Sequence, residues 1–319
     1  MVQMAQRGVE HKGANMLNSI TIVAVTGMQA YAQNSVYAIQ RSYLELQKQL
    51  PAKRLRCLLI SPEKPEHFFD NIQHIACKPF SYLEYSLFMV YSLAQFIETS
   101  HVLIVQEDGW VLNGNNWRDE FFQYDYIGSP LMILVDEKGK TYRDAFWEKH
   151  KFDIPDGMIG HQNGGFSLRS KKLLEAARKY QLGFNVQPPE YIQSLPFEFK
   201  WTESTHQHYE DVYFLQRHKQ LSELGFKFAP PHLAALFGFQ HLMLQVLEKT
   251  NVMRILGCHF SSSLKITGLN QVTVLHHQFS SMEELIRNGR IFILVEQGME
   301  VYIPSEVSFN GQSCYLKKR

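Results

Sequence analysis

The chain has 319 residues, 45% of them hydrophobic and 20% charged, with a formal net charge of +1. This is ordinary globular material with enough apolar residues for a full core. So small a net charge argues against general nucleic-acid affinity, which needs concentrated positive charge. The four cysteines, Cys57, Cys77, Cys258 and Cys314, lie far apart without CxxC spacing and read as buried free thiols of a reducing compartment. No run of about 18 apolar residues occurs, so no membrane-spanning helix is expected. The first residues lack the apolar core of a signal peptide. The expectation is a cytoplasmic protein, with peripheral membrane contact left open.

Residues 1–18 are polar and aperiodic and read as a disordered lead, with Met16 a candidate start. Ile20–Val25 is a β-branched run ending at Thr26-Gly27, the pattern of a buried strand. Val36, Ile39, Tyr43, Leu46 and Leu50 then recur every three or four residues, one face of an amphipathic helix stopped by Pro51. Leu55–Ile60 is a second strand ending at Ser61. Strand, helix, strand is a βαβ unit, which favours a parallel sheet covered by helices. The first strand–helix turn carries neither GxGxxG nor GxxxxGK[ST], so the Rossmann and P-loop phosphate cradles are absent. Pro79 fits the first turn of another helix, with Leu83, Leu87, Val90, Ala94 and Ile97 as its buried stripe.

Val102–Val105 is a third apolar run, and it stops at Gln106-Glu107-Asp108-Gly109. Ligands bind at the carboxyl ends of strands in open α/β sheets, and a carboxylate there can hold a cation that in turn holds a diphosphate. Asp-Gly between apolar runs is equally a hairpin-turn signal. Tyr124–Pro130 (YDYIGSP) reads as a short strand, and 136–160 as a charged loop of substrate-loop character. In HQNGGFSLRS, residues 161–170, the Asn163-Gly164-Gly165 run either turns the chain or brings backbone close to a ligand. Phe166–Leu168 reads as a short strand, and Ser170 as the N-cap of a helix over Lys171–Tyr180. Residues 185–207 read as irregular. Glu210 and Asp211 open a further helix, where the dipole alone would favour acids. His259 closes an apolar run, a position more often structural than ligating. The tail is expected to carry a helix over Met282–Asn288 and a hairpin of Ile291–Glu296 with Met299–Ile303 around Gln297-Gly298. The His276-His277 pair lacks a third ligand.

Taken in order, QEDG, YDYIGSP, NGGFSLRS and EDVYF resemble a domain-of-unknown-function family of bacterial-type glycosyltransferases, over roughly residues 20–262. The resemblance implies a glycosyltransferase A-type (Rossmann-like) fold: a mixed, mainly parallel sheet flanked by helices. It is expected here as a catalytic domain over 19–265, with a small C-terminal α+β appendage over 266–319. It implies a transferase that moves a sugar from a nucleoside-diphosphate donor to a hydroxyl of a glycan or other acceptor. Mn²⁺ or Mg²⁺ would assist the leaving group, held by Asp108 and His259. Asp211, with Glu210 as alternate, would be the base of an inverting displacement. Asn163, Gly164 and Gly165 would line the sugar and acceptor side. Thr26 and Ser61, at the ends of the first two strands, would lie near the nucleoside with Gln106 and Glu107. Gln106 departs from the common Asp-x-Asp pattern, because an amide is a weaker and neutral ligand. Glu107 is expected to point away from Asp108 if the strand pleat continues. Two other readings stand beside this one. A nucleotidyltransferase would want a basic Gly-rich loop, and Thr26–Asn34 has no lysine or arginine. A non-catalytic carbohydrate-binding protein would be expected to lose the acids at 108 and 211.

Overall fold

In the computed structural model, which describes residues 18–136, 140–143, 155–186, 208–240, 252–261, 263–275, 281, 283, 288–308 and 310–318, β1 is Ile20–Val25 and is buried along its whole length. Its side chains alternate between two cores, as the strand pleat requires. Ile20, Ile22 and Ala24 pack with Val36, Ile39 and Leu46 of helix α1 (Gln29–Leu46). Val23 and Val25 pack on the other face with Tyr85, Met89 and Leu93. Next come β2 (Leu55–Ser61) and the edge strand β3 (Ile72–Ala76), whose half-exposed residues carry little apolar signal.

Helix α2 spans Tyr82–Tyr91, with Ser81 as N-cap in a reciprocal capping box with Glu84. Pro79 therefore lies outside the helix. Its buried face is Tyr85, Ser86, Met89 and Val90; of the expected stripe Val90 and Ile97 are buried, while Leu83, Leu87 and Ala94 are half-buried.

The sheet continues through β4 (His101–Ile104), β6 (Tyr126–Asp136), β7 (Thr141–Arg143) and β8 (Met158–Ser170), with β5 (Gly109–Val111) leaving it for another sheet. Strand order is β3-β2-β1-β4-β8-β6-β7. The first four strands run parallel, as the βαβ pattern implies, and β8 then enters antiparallel between β4 and β6. The architecture is thus a mixed α/β sheet flanked by helices. Ser170 caps helix α3 (Lys171–Lys179), accepting from the Leu173 amide at 3.0 Å. Helices α4 (Glu210–Gln216), α5 (His218–Glu223) and α6 (Pro231–Phe237) lead to β9 (Gly238–Phe239) and β10 (Gly257–His259), which form a three-stranded sheet with β5. Among the described residues no helix is long and apolar enough to cross a membrane.

The tail corrects one expectation. Ile291–Glu296 is not a strand but belongs to helix α7 (Gly289–Glu296), capped by the Asn288 side chain on the Ile291 amide at 3.1 Å. Gly298, with φ +79°, ends the helix in place of turning a hairpin. The chain then enters β13 (Glu300–Ile303) of a four-stranded sheet, β11 (Leu264–Gly268), β12 (Gln271–Val274), β13 and β14 (Cys314–Leu316). Most of Met282–Asn288, the His276-His277 pair and residues 1–17 lie outside the described residues, as do 137–139, 144–154 and 187–207 within the expected loops.

Arg41 ties this last sheet to α1. Its guanidinium donates to Asn270 Oδ1 and to the Leu112 carbonyl at 3.0 Å, and pairs with Glu45 at 3.0 Å, with both side chains less than a tenth exposed. Glu45 keeps Lys48 at 2.6 Å and the Gly114 amide at 2.9 Å when Arg41 is removed, so the loss is that of hydrogen bonds to a charged group, about 1.5–3 kcal/mol. Arg41→Met should lower the unfolding free energy from urea denaturation by an amount of that order; a change below about 0.5 kcal/mol would mean that Arg41 does not hold the two parts together.

Candidate active site

The QEDG segment forms a two-residue turn. Gln106 and Gly109 exchange backbone hydrogen bonds at 2.9 and 3.0 Å, with Glu107 and Asp108 at the corners and neither at positive φ. Unprimed turns splay the strands they join. Here the splay sends β4 into the seven-stranded sheet and β5 into the three-stranded one. The pleat does not continue through the motif, so the expectation that Glu107 points away into solvent fails. Glu107 is half-buried and lines a cavity with Asp108; burial, together with the Asp108 charge, pushes its carboxyl up to about 7.

The second piece is NGGF. It is neither a turn nor the start of a short strand, since β8 runs unbroken from Met158 to Ser170. Gly128 of β6 pairs with Ser167, and Pro130 pairs with Gln162, so Asn163–Phe166 face the single residue Ser129. This is a β-bulge of the larger, special kind, four residues against one, a device that redirects backbone beside active sites. The Asn163 side chain holds it by accepting from the Phe166 amide at 3.2 Å, and Ser167 Oγ donates to the Gly164 carbonyl at 2.7 Å. The glycines are required by what they face. A Cβ on Gly164 would lie 2.1 Å from Glu210 Oε1, and one on Gly165 would lie 2.4 Å from both Gln106 Oε1 and His259 Nε2.

Arg169, four residues after the glycines and wholly buried, joins the bulge to α4. Its guanidinium pairs with Glu210 at 2.9 Å, donates to the Gly164 carbonyl at 3.3 Å, and stands about 5 Å from the ring centres of both Tyr126 and Phe214, which are 5.6 Å from each other. Glu210 is thus the anchoring acid. Asp211 receives the Gly164 amide on Oδ2 at 3.2 Å and the Val212 amide on Oδ1 at 2.7 Å, and His161 Nε2 stands 3.5 Å from Oδ2. Burial opposes ionisation of Asp211, but His161, Arg169 and the Val212 amide outweigh it and hold its carboxyl below the usual value. Sequence reasoning missed Arg169 and His161. The available signal was an arginine directly after the strand-like Phe166-Ser167-Leu168 run, with acids downstream to pair it.

His259 reaches the QEDG turn through register: β10 pairs with β5 so that His259 lies opposite Gly109, and the Phe260 amide donates to the Asp108 carbonyl at 2.7 Å. Its Nε2 stands 3.3 Å from Asp108 Oδ1 and 3.2 Å from Gln106 Oε1. The Gln106 amide nitrogen donates to Tyr85 at 3.1 Å, which aims its oxygen inward. Burial disfavours charge on His259, yet Asp108, with Asp211 and Glu107 behind it, raises its titration above the usual value.

Adjacent donors around an octahedral ion stand about 3 Å apart; His259 Nε2 is at 3.3 Å from Asp108 and 3.2 Å from Gln106, distances that also serve its direct contacts with them. One carboxylate, one imidazole and one amide oxygen suit Mn²⁺ or Mg²⁺ with further ligands taken from phosphate. Among the described residues no three His, Cys, Asp or Glu side chains gather to hold an ion unaided.

A cavity of about 300 Å³ opens beside this set, lined by Thr26, Gly27, Tyr31, Phe80, Tyr82 and Tyr85 together with Gln106, Glu107 and Asp108. Thr26 is therefore brought to the site. Ser61 is not: it is fully buried, its hydroxyl donates to the Glu63 carbonyl at 2.9 Å, and His74 Nε2 lies 3.1 Å away.

A family described as "Protein of unknown function (DUF5672)" matches residues 72–259, more than half of the chain. Among curated proteins nothing matches. Among solved structures the chain is similar to the galactosyltransferase LgtC in complex with donor and acceptor sugar analogs, at 15% identity over 77% of this chain and 88% of that one, TM-score 0.39. It is also similar to an active-site mutant of LgtC, at 14% identity over 77% and 88% of the two chains, TM-score 0.37. A third is mouse xyloside xylosyltransferase 1 in its apo form, at 12% identity over 77% and 98%, TM-score 0.39.

The space above Gly165 offers a direct check. A Cβ there would lie 2.4 Å from Gln106 Oε1 and His259 Nε2 and 2.7 Å from His259 Cδ2, and the His259 ring is buried, so Gly165→Ala should fold with a lowered melting temperature. Both displaced side chains belong to the candidate donor set, so Mn²⁺ affinity in the presence of UDP, measured by calorimetry below the melting temperature, should fall by roughly tenfold or more. Equal affinity in the two proteins would remove Gln106 and His259 from the set.

Proposed function

The chain belongs to the DUF5672 family, and we propose that it is a nucleotide-sugar-dependent glycosyltransferase, moving a sugar from a nucleoside diphosphate to a hydroxyl of a glycan or other acceptor with inversion at the anomeric carbon. One arrangement carries the reading. Gly165 faces Gln106 and His259, beside Asp108, while its neighbour Gly164 holds Asp211. Consecutive residues of the bulge thus touch the Gln106 and His259 side chains on one hand and the buried Asp211 carboxylate on the other. That order, leaving-group set, backbone, base, is what supports a displacement with the base opposite the leaving group.

In this reading the cavity beside Thr26, Tyr31 and Phe80 takes the nucleoside, and the aromatic rings give it faces to stack on. Asp108, His259 and Gln106 would hold a divalent cation, which when bound neutralises the charge gathering on the departing diphosphate. Asp211, ionised at neutral pH, takes the acceptor proton. Glu210 is occupied by Arg169, so its part is to fix the start of α4.

Asp211→Asn keeps the volume and removes the base. It should cut turnover by about 10²–10⁴-fold while nucleotide affinity stays nearly the same, and unchanged turnover would take Asp211 out of the reaction. The donor is found by thermal shift with UDP-, GDP-, CMP- and dTDP-sugars, with and without Mn²⁺. Ligand at about 100 times its Kd adds about 2.7 kcal/mol of stability, and in Asp108→Ala the Mn²⁺-dependent part of the shift should vanish. A wild-type protein that shifts with none of these donors would overturn the proposal.

A further inference from the structure

A second cavity, of about 180 Å³, opens on the other side of Asp211. Its wall includes His161, Asp211, Phe214, Phe228, Pro230 and Pro231. Asp211 thus borders a space distinct from the nucleoside cavity, and its carboxylate has lone pairs beyond those used by the Gly164 and Val212 amides. His161 is about nine-tenths buried or more, and among the described residues its Nε2 has no hydrogen-bond partner. Leaving such a nitrogen unsatisfied is costly unless something arrives to satisfy it.

The separation of the two groups says what fits. His161 Nε2 and Asp211 Oδ2 are 3.5 Å apart, longer than the usual hydrogen bond of about 2.9 Å. One oxygen can stand within hydrogen-bond distance of both. A hydroxyl meets both demands at once, accepting from the imidazole N–H and donating to the carboxylate. A carbonyl could not donate to Asp211, and an ammonium could not accept from His161. The half-buried faces of Phe228, Pro230 and Pro231 are apolar and suit the C–H face of a ring.

The geometry points to this cavity as the acceptor subsite, taking a sugar ring whose hydroxyl is clamped between His161 and Asp211, with His161 a positioning residue. This rests on the transferase reading above. In the step itself the acceptor oxygen forms a bond to the anomeric carbon as its proton passes to Asp211 Oδ2. The bond from that carbon to the diphosphate oxygen breaks, and its electron pair leaves with the diphosphate. His161 keeps its proton throughout and holds the attacking oxygen in line.

The test uses the full chain as wild type, His161→Gln and Leu215→Trp, the last adding bulk to the cavity wall from the half-exposed side of α4. Nucleotide release is followed with the donor that gives the thermal shift, against methyl glycosides of glucose, galactose and xylose as acceptor probes. Calorimetry with UDP or GDP and Mn²⁺ reports the donor side. Expected is a fall of about 10–100-fold in glycoside-dependent kcat/KM for both variants, in His161→Gln from the weakening of one hydrogen bond to the acceptor and in Leu215→Trp from the volume taken from the ring. It should lie mainly in kcat for His161→Gln and mainly in acceptor KM for Leu215→Trp. Should His161→Gln not fold, Leu215→Trp decides alone. Nucleotide binding and turnover with both variants within twofold of wild type would overturn the acceptor subsite and leave the transferase reading standing. So would a wild-type protein that binds nucleotide but is accelerated by no glycoside. A wild-type protein that binds no nucleotide would overturn both.

Discussion

A guanidinium sealed from water sets the terms for the rest of this structure. Arg169 sits in the central sheet with no exposure, and a charge there is tolerable only if paired; of its nitrogens only Nη1 lacks a hydrogen-bond partner among the described residues. The compensation is Glu210, the Gly164 carbonyl, Ser167 Oγ and two aromatic faces. Those partners belong to a bulge in β8, a neighbouring strand and the first turn of α4. Satisfying one arginine therefore fixes three elements against one another, and Asp211 is placed because it follows Glu210. Removing a partner from such a pair costs about 3–5 kcal/mol, against a total stability of about 5–15 kcal/mol for a typical domain. The candidate site is thus part of what keeps the sheet closed, not a set of groups added to a finished scaffold.

The two glycines of the bulge divide the chemistry. Each is small because a neighbour's polar atom occupies the volume a methyl group would take. Charge balance follows the same division. On the Gly164 side one arginine answers two carboxylates, with His161 beside them. On the Gly165 side Asp108 and Glu107 lie with His259 and the neutral Gln106 amide, with Lys265 acting on Glu107 from further off.

How much of this was legible in the chain depends on the range of the interactions. Ile20–Val25 and Leu55–Ile60 read correctly because strands buried on both faces need continuous apolar runs, a local property. Ser170 read correctly as a cap because capping spans three residues. The NGGF bulge could not be read, since it is a mismatch between β8 and β6 rather than a feature of either. His161 and Arg169 escaped notice for a related reason: their partners lie about 40–50 residues downstream, at Asp211 and Glu210. Gln297-Gly298 was read as a hairpin turn because glycine at positive φ ends helices and turns hairpins alike, and only the capping by Asn288 separates the cases.

The short strand β10 carries a consequence for the chemistry its neighbours meet. Side chains alternate along a strand, so a one-residue slip of register exchanges everything a strand presents. Cys258 now lies buried with its Sγ toward the Trp110 carbonyl, while its neighbour His259 faces the QEDG turn. Moved by one position, β10 would present a thiol to that turn where an imidazole now stands. The pairing of three residues, Gly257–His259, with Gly109–Val111 therefore decides whether Asp108 and Gln106 meet a nitrogen or a sulfur.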